Sequence, residues 1–149
     1  MRTWLITGSS KGLGRAIALE ALARGDRIVA TARRAADCAA LAAVAPERVM
    51  TQALDVLDPG SIDLAVSKST AQWGTPDILV NNAGHGLFGA VEEISDSEAR
   101  GIFDVNVFGL LAVTRAFLPG MRARRSGAIV NISSIAGMIG GAGRGLYSA

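Results

Sequence analysis

The feature that most constrains this chain is a glycine-rich segment directly after its first apolar run. The run covers residues 3–7, and the segment that follows it contains Gly8, Gly12 and Gly14. Glycine is needed where a backbone turns tightly and where an anion must approach main-chain N–H groups. A helical pattern follows, and the N-terminus of a helix carries a partial positive charge. This order predicts a phosphate-binding turn, although a tight connection without a ligand would use the same residues.

Short apolar runs alternate with helical patterns along the whole chain. The runs cover residues 3–7, 27–32, 49–54, 78–81 and 128–132. Each is rich in β-branched residues and apolar on both faces, which is typical of buried parallel strands. The alternation predicts an α/β fold with a Rossmann-like doubly wound parallel sheet between two helical layers, in one domain over residues 1–149. Since such folds have about six strands, we expect the C-terminal strands of the domain to be missing.

Capping residues predict where the longer helices begin. Asp58, which is followed by proline, has the residue type of an N-cap with proline at the first helical position. Ser95 and Glu98 have the spacing of a capping box and open a long apolar helix over about residues 96–124. Pro119 is expected to bend that helix or to end it early.

Composition and charge argue against several classes of protein. The chain has 149 residues, half of them apolar, and a net charge of only +2, so we expect no nucleic-acid partner. Arg122, Arg124 and Arg125 are interpreted as the solvated end of a helix. The single cysteine, Cys38, has no disulfide partner and no metal-ligand spacing around it, so no metal site is expected. Without a signal-peptide pattern or an apolar run near membrane-spanning length, we expect a soluble, cytoplasmic protein with no membrane partner.

Several ordered motifs resemble those of one enzyme family. Residues 7–14 match the pattern T-G-x-x-x-G-x-G, residues 81–84 read N-N-A-G, and residues 106–109 match N-x-x-G. Tyr147 begins what resembles a Y-x-x-x-K motif. The chain therefore resembles the classical short-chain dehydrogenase/reductase family along its whole length. The resemblance implies an oxidoreductase that acts on CH–OH groups with a nicotinamide cofactor.

The resemblance also implies which residues hold the cofactor. In the family the pyrophosphate lies on the glycine turn, and an aspartate after the third strand contacts the adenine. The cofactor-binding residues implied in this way are Thr7, Gly8, Ser10, Lys11, Gly12, Leu13, Gly14, Asp55, Val56, Asn82, Ala83 and Gly84.

The end of the second strand predicts which nicotinamide cofactor binds. An acidic side chain there accepts hydrogen bonds from the ribose 2′-OH of NAD and would repel the 2′-phosphate of NADP. Here the position holds Ala32, and Arg33 and Arg34 follow. Arg33 can bind a phosphate with its forked guanidinium, and Lys11 adds a point charge. NADP(H) is therefore predicted over NAD(H), while the alternative is that Arg33 and Arg34 only face solvent.

The catalytic residues follow from the same resemblance. Tyr147, the only tyrosine, takes the role of proton donor to the substrate carbonyl. Ser134 is preferred to Ser133 for its spacing from Tyr147, and it fixes and polarises the carbonyl oxygen. Asn106 takes the role of holding a water in the proton relay, although it could instead tie the helix to the sheet. His85 is expected to line the cleft rather than to react.

The predicted substrate is a small carbonyl compound or alcohol. Leu87, Phe88, Met138 and Ile139 give the expected pocket an apolar lining, which favours a hydrophobic substrate. Family members commonly form oligomers through the long helix and the helix of the tyrosine, which implies a homo-oligomer for the full-length protein.

The remaining expectations concern the activity of residues 1–149 and two alternative functions. The resemblance implies a lysine at position 151, two residues after Ala149, so we expect residues 1–149 alone to have little or no dehydrogenase activity. A non-catalytic NADP(H)-binding module, such as a truncated product, is one alternative. An epimerase or dehydratase of the extended relatives is the other, and the spacing of Gly12 and Gly14 argues against it, since those relatives tend toward T-G-x-x-G-x-x-G.

Overall fold

The computed structural model describes residues 1–149 and shows a parallel sheet with helices on both faces. The strands are β1 (Thr3–Ile6), β2 (Arg27–Ala32), β3 (Val49–Ala53), β4 (Ile78–Asn81) and β5 (Ala128–Asn131). The helices are α1 (Gly12–Ala23), α2 (Ala39–Ala42), α3 (Pro59–Trp73), α4 (Asp96–Phe103), α5 (Leu110–Ala123) and α6 (Gly145–Ser148). A π-helical segment, Asp104–Gly109, joins α4 to α5, and short 3₁₀ turns cover Ala35–Cys38 and Ile135–Gly137.

The strand order is β3-β2-β1-β4-β5, and every pairing is parallel. Leu5 of β1 pairs with Val29 of β2 on one side and with Leu79 of β4 on the other. The chain winds outward in one direction from β1 to β3 and then returns to the other side of β1 as β4. Ligands of such sheets bind where the order reverses, at the carboxyl ends of the strands. The predicted Rossmann-like doubly wound fold is confirmed.

Two apolar clusters lie on opposite faces of the sheet, because alternate residues of each strand point to opposite sides. On one face Ile6 and Ile28 pack with Ala18 of α1. On the other face Leu5 and Leu79 pack with side chains of α3 and α5. Alanine on the buried face of α1 lets the helix lie close to the sheet. The three-layer arrangement is therefore the one predicted from strands that are apolar on both faces.

The helix starts follow the predicted caps. Asp58 accepts a hydrogen bond from Gly60 N–H at 2.9 Å and caps α3. Ser95 and Glu98 form both hydrogen bonds of a capping box at the start of α4. The Glu98 carboxylate accepts from the Ser95 hydroxyl and backbone N–H, and these bonds lower the pKa of Glu98. Both predicted N-termini are confirmed.

The long helix differs from the expectation in two respects. It runs over 28 residues, from Asp96 to Ala123, so Pro119 does not end it early. Phe117 and Met121, on either side of the proline, are buried, and this packing holds the helix together despite the missing N–H. The helix is also long and apolar enough to cross a membrane, so the expectation that no apolar run approaches this length is wrong. Its buried face packs on the sheet as a core helix does.

Candidate active site

Thr7 joins the glycine turn, residues 8–14, to the segment after β4. Its hydroxyl oxygen accepts hydrogen bonds from the backbone N–H groups of Asn82 and Ala83, each at 2.9 Å, and the hydroxyl donates to Val80 O at 3.3 Å. Thr7 is buried, so these bonds replace water at groups that would otherwise have no partner. The hydroxyl thus ties together the two strand ends at which the strand order reverses.

Asn82 makes the reciprocal connection from the N-N-A-G segment. Its side-chain amide donates to Thr7 O at 2.9 Å and to Gly8 O at 3.1 Å. Gly8 has a φ of +67°, a conformation that glycine adopts without strain. A Cβ on Gly14 would lie 2.5 Å from Gly8 O and would also meet the Asn82 amide. Glycine at position 14 is therefore required by the way the turn folds over the start of α1.

The start of α1 presents backbone donors that nothing in the chain accepts. Lys11 is the N-cap residue of this helix, and it makes no side-chain capping bond. The N–H groups of the first helical turn accordingly have no acceptor within the chain. A Cβ on Gly12 would meet nothing within 4 Å, so this side of the turn is open. Free amides, a helix N-terminus and an exposed lysine are the donor set that a pyrophosphate requires, and the residues present fit the cofactor that the resemblance implies.

Ser9, which the sequence-based prediction omitted, ties the turn to β2. Its backbone N–H donates to Thr31 O at 2.8 Å, and its hydroxyl lies 3.8 Å from the sulfur of Cys38. Burial raises the pKa of the Cys38 thiol, so the thiolate is disfavoured and this cysteine behaves as a small packing residue. The turn is thus held from three sides while its donors stay exposed.

The two arginines that follow β2 differ in their partners. Arg34 binds both carboxylate oxygens of Asp37, at 2.7 and 3.2 Å, and this hydrogen-bonded charge pair raises the pKa of the Arg34 guanidinium. Arg33 is exposed and makes neither a hydrogen bond nor an ion pair. Ala32 ends the strand, so no carboxylate stands at the position that discriminates between the cofactors. Arg33, rather than Arg34, is therefore the guanidinium that is free to bind an anion.

Two predicted motifs meet behind the site. Asp55 accepts a hydrogen bond from Leu57 N–H at 3.0 Å, which fixes the segment after β3. The next residue, Val56, is buried against Gly109, where an added Cβ would lie 2.7 Å from Val56 Cγ2. The glycine of the N-x-x-G motif is therefore needed for the long helix to approach this segment.

Asn106 lies in the π-helical segment and binds the backbone of His85. Its side-chain oxygen accepts from His85 N–H at 3.1 Å, and its amide donates to His85 O at 2.9 Å. A Cβ on Gly84 would lie 3.0 Å from that oxygen, which accounts for the glycine that ends N-N-A-G. The irregular segment of the helix thus brings Asn106 against the loop after β4.

Ser134 and Tyr147 lie in neighbouring elements after β5. Ser134 begins the 3₁₀ turn Ile135–Gly137, and its oxygen accepts from Ala136 N–H at 3.2 Å. That turn contacts α6, which carries Tyr147. The tyrosine ring packs against Phe88 with ring centroids 5.7 Å apart. Ser134, Tyr147 and Asn106 all lie at the edge of the sheet where the strands have their carboxyl ends. No hydrogen bond joins any two of them directly.

Two further groups belong to this region and were not predicted. Asn81, at the end of β4, donates to Thr114 of α5 and to Asn131 of β5, each at 2.9 Å, and so fixes the sheet beneath the site. Arg15 lies near the start of α1, is half-buried, and makes no hydrogen bond or ion pair. A cation near a helix N-terminus opposes the helix dipole, and this unfavourable position is a signal that the sequence already contained.

Comparison with known proteins gives a consistent result. The sequence model of the short chain dehydrogenase family matches residues 2–149. An oxidoreductase of Botryotinia fuckeliana is 40% identical over 147 residues, covering 98% of this chain and 54% of that protein. An NADP-dependent 3-hydroxy acid dehydrogenase of Salmonella typhi is 38% identical over 146 residues, covering 97% of this chain and 59% of that protein. The chain thus spans little more than half the length of these curated relatives.

Solved structures are similar over nearly the whole chain. A short-chain dehydrogenase from Streptomyces avermitilis superposes with a TM-score of 0.94 at 46% identity, covering 99% of this chain and 54% of that one. The closed form of a serine dehydrogenase complexed with NADP⁺ superposes with a TM-score of 0.92 at 34% identity, covering 98% of this chain and 59% of that one.

Proposed function

Since this chain belongs to the short-chain dehydrogenase family, we propose that it binds NADP(H) in an enzyme that interconverts a carbonyl and an alcohol. The observation that supports the choice of NADP(H) is the free Arg33 guanidinium at the end of β2, where Ala32 replaces a carboxylate. Asp37 competes for Arg34 in an exposed ion pair, whereas Arg33 has no such competing partner for a 2′-phosphate. Lys11, exposed in the glycine turn, adds a second positive charge on the same side.

The remaining cofactor contacts follow from the donors described above. The free N–H groups at the start of α1 would hold the pyrophosphate, and the half-buried Arg15 would add a charge there. The Asp55–Val56 segment would hold the adenine, and the segment Asn82–Gly84 would hold the nicotinamide end. Ser10 and Leu13 line the turn between them.

The reaction needs one hydride and one proton, and the bound nicotinamide supplies the hydride. Tyr147 donates its hydroxyl proton to the carbonyl oxygen during reduction and takes it back during oxidation. Ser134 uses a lone pair to accept from Ala136, so its hydroxyl hydrogen remains free to bind the same carbonyl oxygen. Phe88 packs against the tyrosine ring, with ring centroids 5.7 Å apart. Asn106, held on both sides of its amide by His85, orients a water in the proton relay.

A homo-oligomer is part of the proposal. The long helix has three exposed apolar residues: Val107 at 38%, Phe108 at 61% and Leu111 at 37%. They form an apolar surface on the side of the helix that does not face the core. A second copy of the chain is the proposed occupant. Light scattering of the full-length protein tests this, with Phe108→Glu expected to yield a monomer.

The cofactor assignment is tested by titrating NADPH and NADH into wild-type protein and two arginine variants. Arg33→Ala is expected to weaken NADPH binding about 10- to 100-fold, which corresponds to one lost charge-assisted hydrogen bond, and to leave NADH binding unchanged. Arg34→Ala is the matched control, and its effect should be several-fold smaller. Tighter binding of NADH by wild-type protein, or equal effects of the two variants, would show that the assignment is wrong.

The reaction is tested with full-length protein by following NADPH absorbance in the presence of aldehydes and ketones. Tyr147→Phe is expected to abolish turnover while leaving the affinity for NADPH within about twofold, because it removes only the proton donor. NADPH binding without turnover of any carbonyl by wild-type protein would favour the non-catalytic module instead.

A further inference from the structure

Among the half-buried arginines of this chain, two have no partner. Arg48 donates to two backbone carbonyls at 2.8 and 3.2 Å, and Arg27 lies over the ring of Trp73 at 5.5 Å from its centroid. Arg15 and Arg144 are also half-buried, but neither makes a side-chain hydrogen bond, an ion pair or a stacking contact. Partial burial of a charged group without a partner is unfavourable. The proposed cofactor phosphates account for Arg15, whereas Arg144 lies directly before α6, the helix that carries Tyr147.

The position of the Arg144 guanidinium depends on a glycine. A Cβ on Gly141 would lie 2.7 Å from Arg144 Nε and 2.8 Å from its Cζ, so the guanidinium rests directly on the backbone of Gly141. The backbone N–H of Arg144 also donates to Gly141 O at 3.1 Å, which closes this turn. The side chain is therefore held in place by packing rather than by a carboxylate, and its donors stay available.

The segment that carries Arg144 forms one wall of the site. Arg144 lies three residues before Tyr147, and the neighbouring Gly143 O accepts from Gly89 N–H at 2.9 Å. Through this bond the segment is tied to the loop after β4, whose Phe88 packs on the tyrosine ring. A ligand at the tyrosine hydroxyl is thus bordered by both segments.

The side chains around this wall are mostly apolar and exposed. Phe88 and Val91 are each 66% exposed, and Met138 and Ile139 are 86 and 62% exposed. Glu92 and Glu93 follow Val91, but neither forms an ion pair with Arg144. The wall therefore combines an apolar surface with a positive charge that is not neutralised within the chain.

We infer that the substrate carries a carboxylate beside an apolar chain and that Arg144 binds this carboxylate. The inference rests on the proposed oxidoreductase function and names its substrate class, a hydroxy acid or the corresponding oxo acid. A guanidinium can hold a carboxylate through two parallel N–H···O bonds, which fixes the orientation of the reacting carbon as well as the affinity. Arg144 is then a residue that determines specificity, with no part in proton or hydride transfer.

The test compares acids with their methyl esters on full-length protein. Straight-chain hexanoic acids with the hydroxyl on the second, third, fourth or fifth carbon are oxidised with NADP⁺, each beside its ester. For the best acid, Arg144→Gln is expected to raise KM about 10- to 100-fold, as expected for the loss of a charge-assisted pair, while kcat/KM for the ester changes by less than about twofold. Arg144→Lys should restore part of the affinity, and Arg122→Gln, an exposed arginine at the opposite edge of the sheet, should change neither.

Each outcome distinguishes this inference from the proposed function. Equal effects of Arg144→Gln on acid and ester, or no effect on either, would overturn the carboxylate assignment and leave the oxidoreductase function intact. If wild-type protein oxidises neither kind of substrate, the reduction of aldehydes and ketones with NADPH decides separately whether the proposed function fails. Calorimetry with hexanoate and hexanol then tests Arg144 directly: the inference requires tighter binding of hexanoate and its loss in Arg144→Gln, and equal binding of both would refute it.

Discussion

Replacement of Gly14 by alanine tests the structure of the glycine turn. The new Cβ would lie 2.5 Å from Gly8 O, a backbone atom, and would also meet the Asn82 amide. If the turn keeps its shape, overpacking of this kind destabilises a fold by about 1–3 kcal/mol. If the turn opens instead, the two Asn82 hydrogen bonds to Thr7 O and Gly8 O are lost, at about 0.5–1.5 kcal/mol each.

Both routes lead to a similar magnitude, and the intrinsic preference of helices for alanine offsets part of it. That preference is worth about 1 kcal/mol per residue, so Gly14→Ala should lower the free energy of unfolding by about 0–2 kcal/mol in net terms. Because the same clash displaces the free N–H groups of α1, we expect the affinity for NADPH to fall at least tenfold. The two effects arise from one displacement and should appear together.

Gly101→Ala provides the matched control. Gly101 lies in α4, and a Cβ there meets nothing within 4 Å. The same substitution should therefore stabilise the protein, by about 0.5–1 kcal/mol, and leave NADPH binding unchanged. Urea unfolding and NADPH fluorescence titration measure both quantities on all three proteins. A Gly14→Ala protein that is as stable as Gly101→Ala and binds NADPH like the wild type would refute the argument.

Three further predictions concern stability. Thr7→Val leaves two backbone N–H groups at the reversal point without an acceptor and should lower the free energy of unfolding by about 1–3 kcal/mol in urea denaturation. Gly109→Ala should cost about 1–3 kcal/mol through its clash with Val56, and a double-mutant cycle with Val56→Ala should recover part of that loss; strict additivity would count against the contact. Burial alone would raise the pKa of Asp26, but hydrogen bonds from the Arg2 backbone and other donors, with the Arg2 charge, hold it below its usual value. The stability from Asp26 is therefore complete above the unfolded-state pKa of about 3.9 and is lost as pH falls through the lower folded-state pKa, and Asp26→Asn should flatten the urea midpoint over that pH range.

The strands were predictable because the pattern that marks each of them is local. Their spatial order depends on contacts between distant segments and was not predicted. Buried parallel strands are apolar on both faces, so each was recognised from a few consecutive residues, and the predicted and observed ends differ by at most one residue. The caps at Asp58 and Ser95 were equally accessible, since a cap involves residues only two or three positions apart.

Contacts between distant segments set the limit of prediction for the site. Asn106 was expected from its motif, but its bonds to the His85 backbone join residues 21 positions apart and depend on a π-helical segment that no local pattern indicated. The effect of Pro119 was overestimated for a related reason: burial of Phe117 and Met121 outweighs the local penalty, and burial is a property of the fold. The pairing of Arg34 with Asp37, by contrast, has the spacing i, i+3 and could have been predicted.

The hydrogen bonds of Thr7, Ser9 and Asn82 explain why the glycine turn before α1 has no side-chain cap. A side-chain acceptor at Lys11 would stabilise α1 by about 0.5–2 kcal/mol, yet the chain places a cation there, where it opposes the helix dipole. Thr7, Ser9 and Asn82 instead hold the turn through groups behind it, so that the donors in front need no partner from the chain. An anion from solution can therefore bind these donors. Its binding should stabilise the folded protein by an amount that grows with the logarithm of the ratio of anion concentration to Kd.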